Sequence, residues 1–187
     1  MIAVVAERGA DVGLDDIAAA SGIAKPVYYR YFADKSDLFL AVGRTVAETV
    51  VAETTTAIDH AASPRAMVAA GIGAYVASID ANPELYRFVA HNPILRRLEA
   101  ADVLTDYATV VGLHASRVIG EVLQAEGQDA AVAESWGFGI VGLVRSSVDR
   151  WLERGRPIGR PALVAHLTNL VWAGVGRAGA APDSRNP

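Results

Sequence analysis

The sequence predicts an all-α protein: an N-terminal three-helix unit containing a helix-turn-helix, followed by a C-terminal helical bundle. Three observations point there. Apolar residues recur at helical spacing nearly throughout, and the period-two alternation that marks strands is missing. Turn pairs cut the chain at Ser63-Pro64, Asn82-Pro83, Asn92-Pro93, Glu126-Gly127 and the loop from Gly155-Arg156-Pro157 to Gly159-Arg160-Pro161. Leu14 to Lys35 reads as a short helix, a tight turn and a second short helix, the geometry that lays one helix in the major groove of DNA.

Element by element, Met1 to Glu7 reads as the back end of a first helix, stopped near Gly9, where glycine suits a left-handed cap. The sequence starts inside that helix, as though its first turns and any basic arm lay upstream. Leu14, Ile17 and Ala18 then form one apolar face, with Asp15 and Asp16 at the positive end of the helix. Gly22 marks the turn, and Pro26 falls in the first turn of the next helix, where its missing N–H costs little. Asp34 is the expected N-cap of a long helix to about Ala61, with Asp37 completing an imperfect capping box. Leu38, Val42, Val46 and Val50 make its apolar stripe. Further helices are expected over Arg65 to Asp80, Glu84 to Ala90, Asp102 to Ala125, Ala130 to Glu153 and Ala162 to Arg177. Residues 179–187 read as a disordered tail.

Composition narrows the function. Of 187 residues, 52% are hydrophobic and 20% charged, so a packed core is expected rather than a disordered polyelectrolyte. The absence of cysteine excludes disulfides, thiolate metal sites and a cysteine nucleophile, and suits a reducing cytoplasm. No secretory leader is evident at the start, and the mildly apolar run from Ala66 to Ala77 falls short of the ~20 residues that span a bilayer. The net charge of −4 argues against a nucleic-acid binder basic over its whole surface, but not against one with a small basic reading surface. Lys25 and Lys35, the only lysines, bracket the second helix of the helix-turn-helix.

That helix can do the chemistry. Tyrosine hydroxyls bond phosphate oxygens, their rings pack on thymine methyl groups, and lysines release counterions from DNA. Tyr31 and Phe32 are adjacent and cannot both face one core. Ile17-Ala18, Gly22-Ile23, Pro26, Tyr29, Tyr31-Phe32, Lys35 and Leu38 stand at spacings that resemble the TetR family of bacterial repressors, a match covering Ala6 to about Val42. The resemblance implies an all-α homodimer, with a DNA-binding unit over residues 1–42 and a ligand-binding, dimerising domain over residues 43–178. It implies a recognition helix from about Lys25 to Tyr31, with Lys25, Pro26, Val27, Tyr29, Tyr31 and Lys35 at the positions that meet DNA. Tyr28 fills a position that is normally buried. Asp15 and Asp16 depart from the pattern: they stand where many members contact phosphate, which a carboxylate repels.

Other motifs read as packing. Gly137 to Gly142 spells the dinucleotide fingerprint, but the segment before it is helical and the required strand is missing. Glycine inside a helix points instead to a close helix neighbour or a cavity, as do Gly174 and Gly176. The two helices carrying these glycines are the expected dimer interface, through Gly139, Leu143, Trp151, Leu167, Leu170 and Trp172. The histidines His60, His91, His114 and His166 lack metal-ligand spacing. Aromatic and histidine residues of the C-terminal region, namely Tyr75, Phe88, His91, Tyr107, His114, Trp136 and Phe138, are candidates to line an apolar ligand cavity.

The sequence therefore predicts a cytoplasmic regulator, not an enzyme, with no catalytic residues, metal or cofactor. Its expected partners are a pseudo-palindromic double-stranded DNA operator, a small hydrophobic effector that releases it, and a second copy of the chain, but not a membrane. The alternatives are a dimer of the same fold that has lost DNA binding, and a helical small-molecule-binding or enzymatic domain.

Overall fold

The computed structural model describes residues 2–8, 13–91 and 101–178. Among them the chain is helical, with no strand: α1 (Ile2–Arg8), α2 (Leu14–Ser21), α3 (Lys25–Tyr31), α4 (Lys35–Asp59), α5 (Pro64–Ala81), α6 (Pro83–His91), α7 (Ala101–Ala125), α8 (Ala133–Glu153) and α9 (Arg160–Ala178). A single 3₁₀ turn, Ala130–Val132, leads into α8. The expected cap at Gly9, the turn at Asn92-Pro93 and the tail at 179–187 lie outside the described residues. None of the described helices is long and apolar enough to cross a membrane.

The helix ends follow local rules. Asp34 Oδ1 accepts from the backbone N–H of Asp37 at 2.9 Å, and Asp37 Oδ2 accepts from the N–H of Ala33 at 3.0 Å. This is a reciprocal cap displaced by one residue from the standard box. Asp34→Ala is therefore expected to cost about 1 kcal/mol, read as a lower midpoint in thermal unfolding. Helix α7 ends on Gly127 at φ +70, with Gly127 N–H bonding Gln124 O and Gln128 N–H bonding Leu123 O. Helix α8 ends the same way on Gly155, with Arg156 N–H reaching Trp151 O at 2.8 Å. The following loop is tied back, because Trp151 Nε1 donates to Ile158 O at 2.7 Å and the Arg156 guanidinium lies over the same ring.

The chain forms two compact units. The first comprises residues 1–51 and 78–107. Its core gathers Val4 from α1, Ile17 from α2, Leu38, Phe39 and Val42 from α4, and Leu85, Phe88 and Val89 from α6. Phe39 and Phe88 meet edge-to-face, with ring centroids 4.9 Å apart. Helix α6 is thus part of the core that supports the helix-turn-helix.

The second unit comprises residues 52–77 and 108–187. Its buried residues include Ile58, Ile72, Val76, Val144, Val148, Trp151, Leu152, Leu163, Leu167 and Val171, with Ile119, Leu123 and Ala133 forming a cluster against half-buried Trp136 and Ile140. The backbones of α7 and α8 come close at Gly112, Ser116 and Gly137. A Cβ on Gly137 would lie 2.7 Å from both Gly112 O and Ser116 N.

Candidate nucleic-acid interface

The helix-turn-helix is built from short-range bonds. Gly13 opens α2, and its N–H donates to Asp16 Oδ2 at 3.0 Å. Gly22 closes α2 at φ +66, a left-handed conformation that an L side chain rarely adopts. Ala24 is extended, and α3 begins at Lys25 with Pro26 in its first turn. Ser21 joins the two helices. Its hydroxyl sits 2.7 Å from the Tyr28 hydroxyl and also takes the N–H of Ile23 at 3.4 Å. The sequence reading did not single out Ser21; a hydroxyl directly before the turn glycine was the available signal.

Tyr28 and Phe32, four residues apart, pack against the core of the first unit and set the rotation of α3. No residue of α3 is fully buried. Lys25 and Pro26 are exposed, as are Val27, Tyr29 at 57% and Tyr31 at 74%. Exposed tyrosines of this extent on one short helix are unusual for a core and fit a contact surface. Arg30, in the last turn of α3, is exposed as well and was not among the expected contacts. Lys35 starts α4 half-buried, with its Nζ 4.9 Å from the centre of the Phe39 ring. Charge is managed locally, since Lys25 Nζ forms an ion pair with Asp15 in the first turn of α2.

In the second unit, His114 Nε2 lies 3.1 Å from Asp59 Oδ1, within ion-pair reach but out of hydrogen-bond geometry. Arg117 approaches the same carboxylate and pairs with Glu121. Phe138 lies against Gly112, and Tyr75 is half-buried. The side chains of His91 and Tyr107 are outside the described residues. Thr54 and Thr168 are buried, and their hydroxyls have no hydrogen-bond partner among the described residues. Among the described residues no three His, Asp or Glu side chains converge as a metal site.

Three of the expected site residues are buried within one protomer. Phe88 is 0% exposed and packs on Phe39 in the core of the first unit. Trp151 and Leu167 are 5% and 6% exposed within one protomer. Leu143 and Leu170 are exposed, Trp172 is half-buried, and a Cβ on Gly139 would meet nothing within 4 Å.

Residues 2–42 match the bacterial regulatory proteins of the tetR family, and residues 53–186 match the tetracyclin repressor-like C-terminal domain. An uncharacterized HTH-type transcriptional regulator of Mycobacterium tuberculosis is 30% identical over 173 residues, covering 92% of this chain and 72% of the relative. The HTH-type transcriptional activator FasR of Mycolicibacterium smegmatis is 26% identical, covering 87% of this chain and 73% of its own. Among solved structures, the regulator FadR of Bacillus subtilis, in complex with stearoyl-CoA, superposes with a TM-score of 0.70 at 19% identity, covering 92% of this chain and 94% of that one. FadR of Bacillus halodurans gives 0.72 at 18% identity, covering 92% and 91%. With both parts of the chain matched and the helix-turn-helix formed as the motif requires, the protein belongs to the TetR family of DNA-binding transcriptional regulators, a family without enzymatic activity.

Proposed function

We infer that the protein is a homodimeric repressor that grips a pseudo-palindromic operator and leaves it when a small hydrophobic effector enters its C-terminal bundle. Residues 1–42 read DNA, residues 43–178 bind effector and partner, and the protein works in the cytoplasm. The observation that carries this reading is α3. Tyr28 is turned to the core, while Lys25, Pro26, Val27, Tyr29 and Tyr31 stand exposed. A two-fold dimer offers two such helices to half-sites about one helical turn, or a multiple of it, apart.

Dimerisation is supported by the exposed apolar residues Leu143 on α8 and Leu170 on α9, flanked by the open glycines Gly139, Gly142 and Gly174 and by Trp172. The effector reading is supported by the apolar second unit, with buried Thr54 and Thr168 as polar handles and Tyr75, His114, Trp136 and Phe138 as candidate lining. Release works by linkage: DNA selects one separation of the reading heads, effector selects another, and the shift equals the difference in effector affinity between them. Because FadR of Bacillus subtilis was solved with stearoyl-CoA, a long-chain acyl-CoA is the effector class proposed here. Activation rather than repression is the second reading, favoured by the similarity to FasR.

Thermal unfolding with added ligand tests the effector. At about a hundredfold excess over its dissociation constant, stearoyl-CoA should stabilise the protein by about 2.7 kcal/mol, a midpoint rise of roughly 5–10 °C for a chain of this size. Glucose and ATP should do nothing. Stabilisation by polar metabolites alone would contradict the reading.

A further inference from the structure

We propose that Asp15 limits the DNA affinity of the reading head by holding Lys25 in an internal ion pair, so that Lys25 reaches DNA only by giving up that partner. This rests on the reading of α3 as the DNA-facing helix.

The pair joins the first turn of α2 to the first residue of α3, across the turn at Gly22. The neighbouring carboxylates divide the work. Asp16 takes the N–H of Gly13 and so serves the helix end. Asp15 takes the lysine. Both partners are substantially exposed, at 48% and 76% of their side chains, so the pair is screened and adds little to folding. Its effect on binding is larger, because binding to arbitrary DNA is governed by how many cations the protein brings to the phosphates. Between residues 25 and 35 the chain carries only Lys25, Arg30 and Lys35 as cations, and the whole chain is acidic. Neutralising Lys25 removes a large share of that supply. Asp15 also stays beside the DNA after the exchange, where its charge opposes the phosphates. The head is thereby kept weak on arbitrary DNA.

A double-mutant cycle on the full-length chain tests this, using a fluorescent random-sequence duplex of about 30 bp titrated at salt concentrations from roughly 50 to 200 mM. Asp15→Asn should bind about tenfold tighter at the low-salt end and steepen the salt slope by about 0.9 per protomer. In a Lys25→Ala background the same substitution should gain clearly less, because there is no pair left to release. Unchanged melting of Asp15→Asn serves as the folding control. Equal gains in both backgrounds would mean simple repulsion and overturn the proposal, as would no gain in either. If the parent fails to bind duplex at any salt, the proposed function falls and this proposal with it. If the parent binds and Asp15→Asn behaves like it, only this proposal falls.

Discussion

Gly137→Ala is expected to lower the thermal midpoint by about 6–12 °C, a loss of about 3 kcal/mol in a chain of this size. The added Cβ would sit 2.7 Å from Gly112 O and from Ser116 N, and closer still to Ser116 Oγ. Two of those atoms are backbone of α7. The third is held by its own bond to Gly112 O at 2.7 Å. The two backbone atoms cannot swing aside, so α7 and α8 must separate and lose the packing of Phe138 over Gly112. Gly139→Ala is the contrasting experiment. Nothing lies within 4 Å of its Cβ position, and alanine is the better helix former by about 1 kcal/mol. In a dilute sample its midpoint should rise by roughly 2–4 °C. Equal melting of the two variants would mean that α7 and α8 do not meet as described.

Tyr29→Ala and Lys25→Ala should each lose on the order of 1–3 kcal/mol of operator binding per half-site. Both residues are exposed on α3, four positions apart and so on one face of the helix. The tyrosine offers a ring and a hydroxyl, so its loss mainly weakens grip. The lysine offers three donors to a base edge, so its loss should also relax base preference. Lys35→Ala should behave differently. Its side chain starts α4, beyond the reading helix, with Nζ resting over Phe39. It is assigned to phosphate, and its loss should weaken all sequences alike and flatten the salt slope by about one. Anisotropy titrations at several salt concentrations separate the two behaviours. Parent-like binding by all three variants would contradict the assigned face of α3.

Features governed by near neighbours in the chain were legible in the sequence. Gly22 at the turn, Pro26 in a first turn and Asp34 as a cap each follow from a few adjacent residues, and the inward side of Tyr28 follows from the family resemblance. Features that depend on a distant partner were not. Phe88 looked like any other aromatic of the C-terminal region, yet its partner Phe39 lies far up the chain. Trp151 and Leu167 were recognised as apolar, but apolar character does not say whether a side chain faces its own core or another copy. The glycine motif shows the limit most clearly. Gly137 and Gly139 stand two residues apart, about 200° around the helix, so one faces α7 and the other meets nothing. The Asp15–Lys25 pair was hidden because two unremarkable surface charges become partners only once the turn at Gly22 folds α3 back beside α2.

Titration of the protein onto labelled duplexes tiled across the DNA flanking its own gene, at low and moderate salt, decides most directly whether it reads an operator. One duplex, carrying a pseudo-palindrome with half-sites about a helical turn or a multiple apart, should be bound at least about a thousandfold more tightly than the rest at physiological salt. Uniform weak binding to every duplex, or none even at low salt, would contradict it.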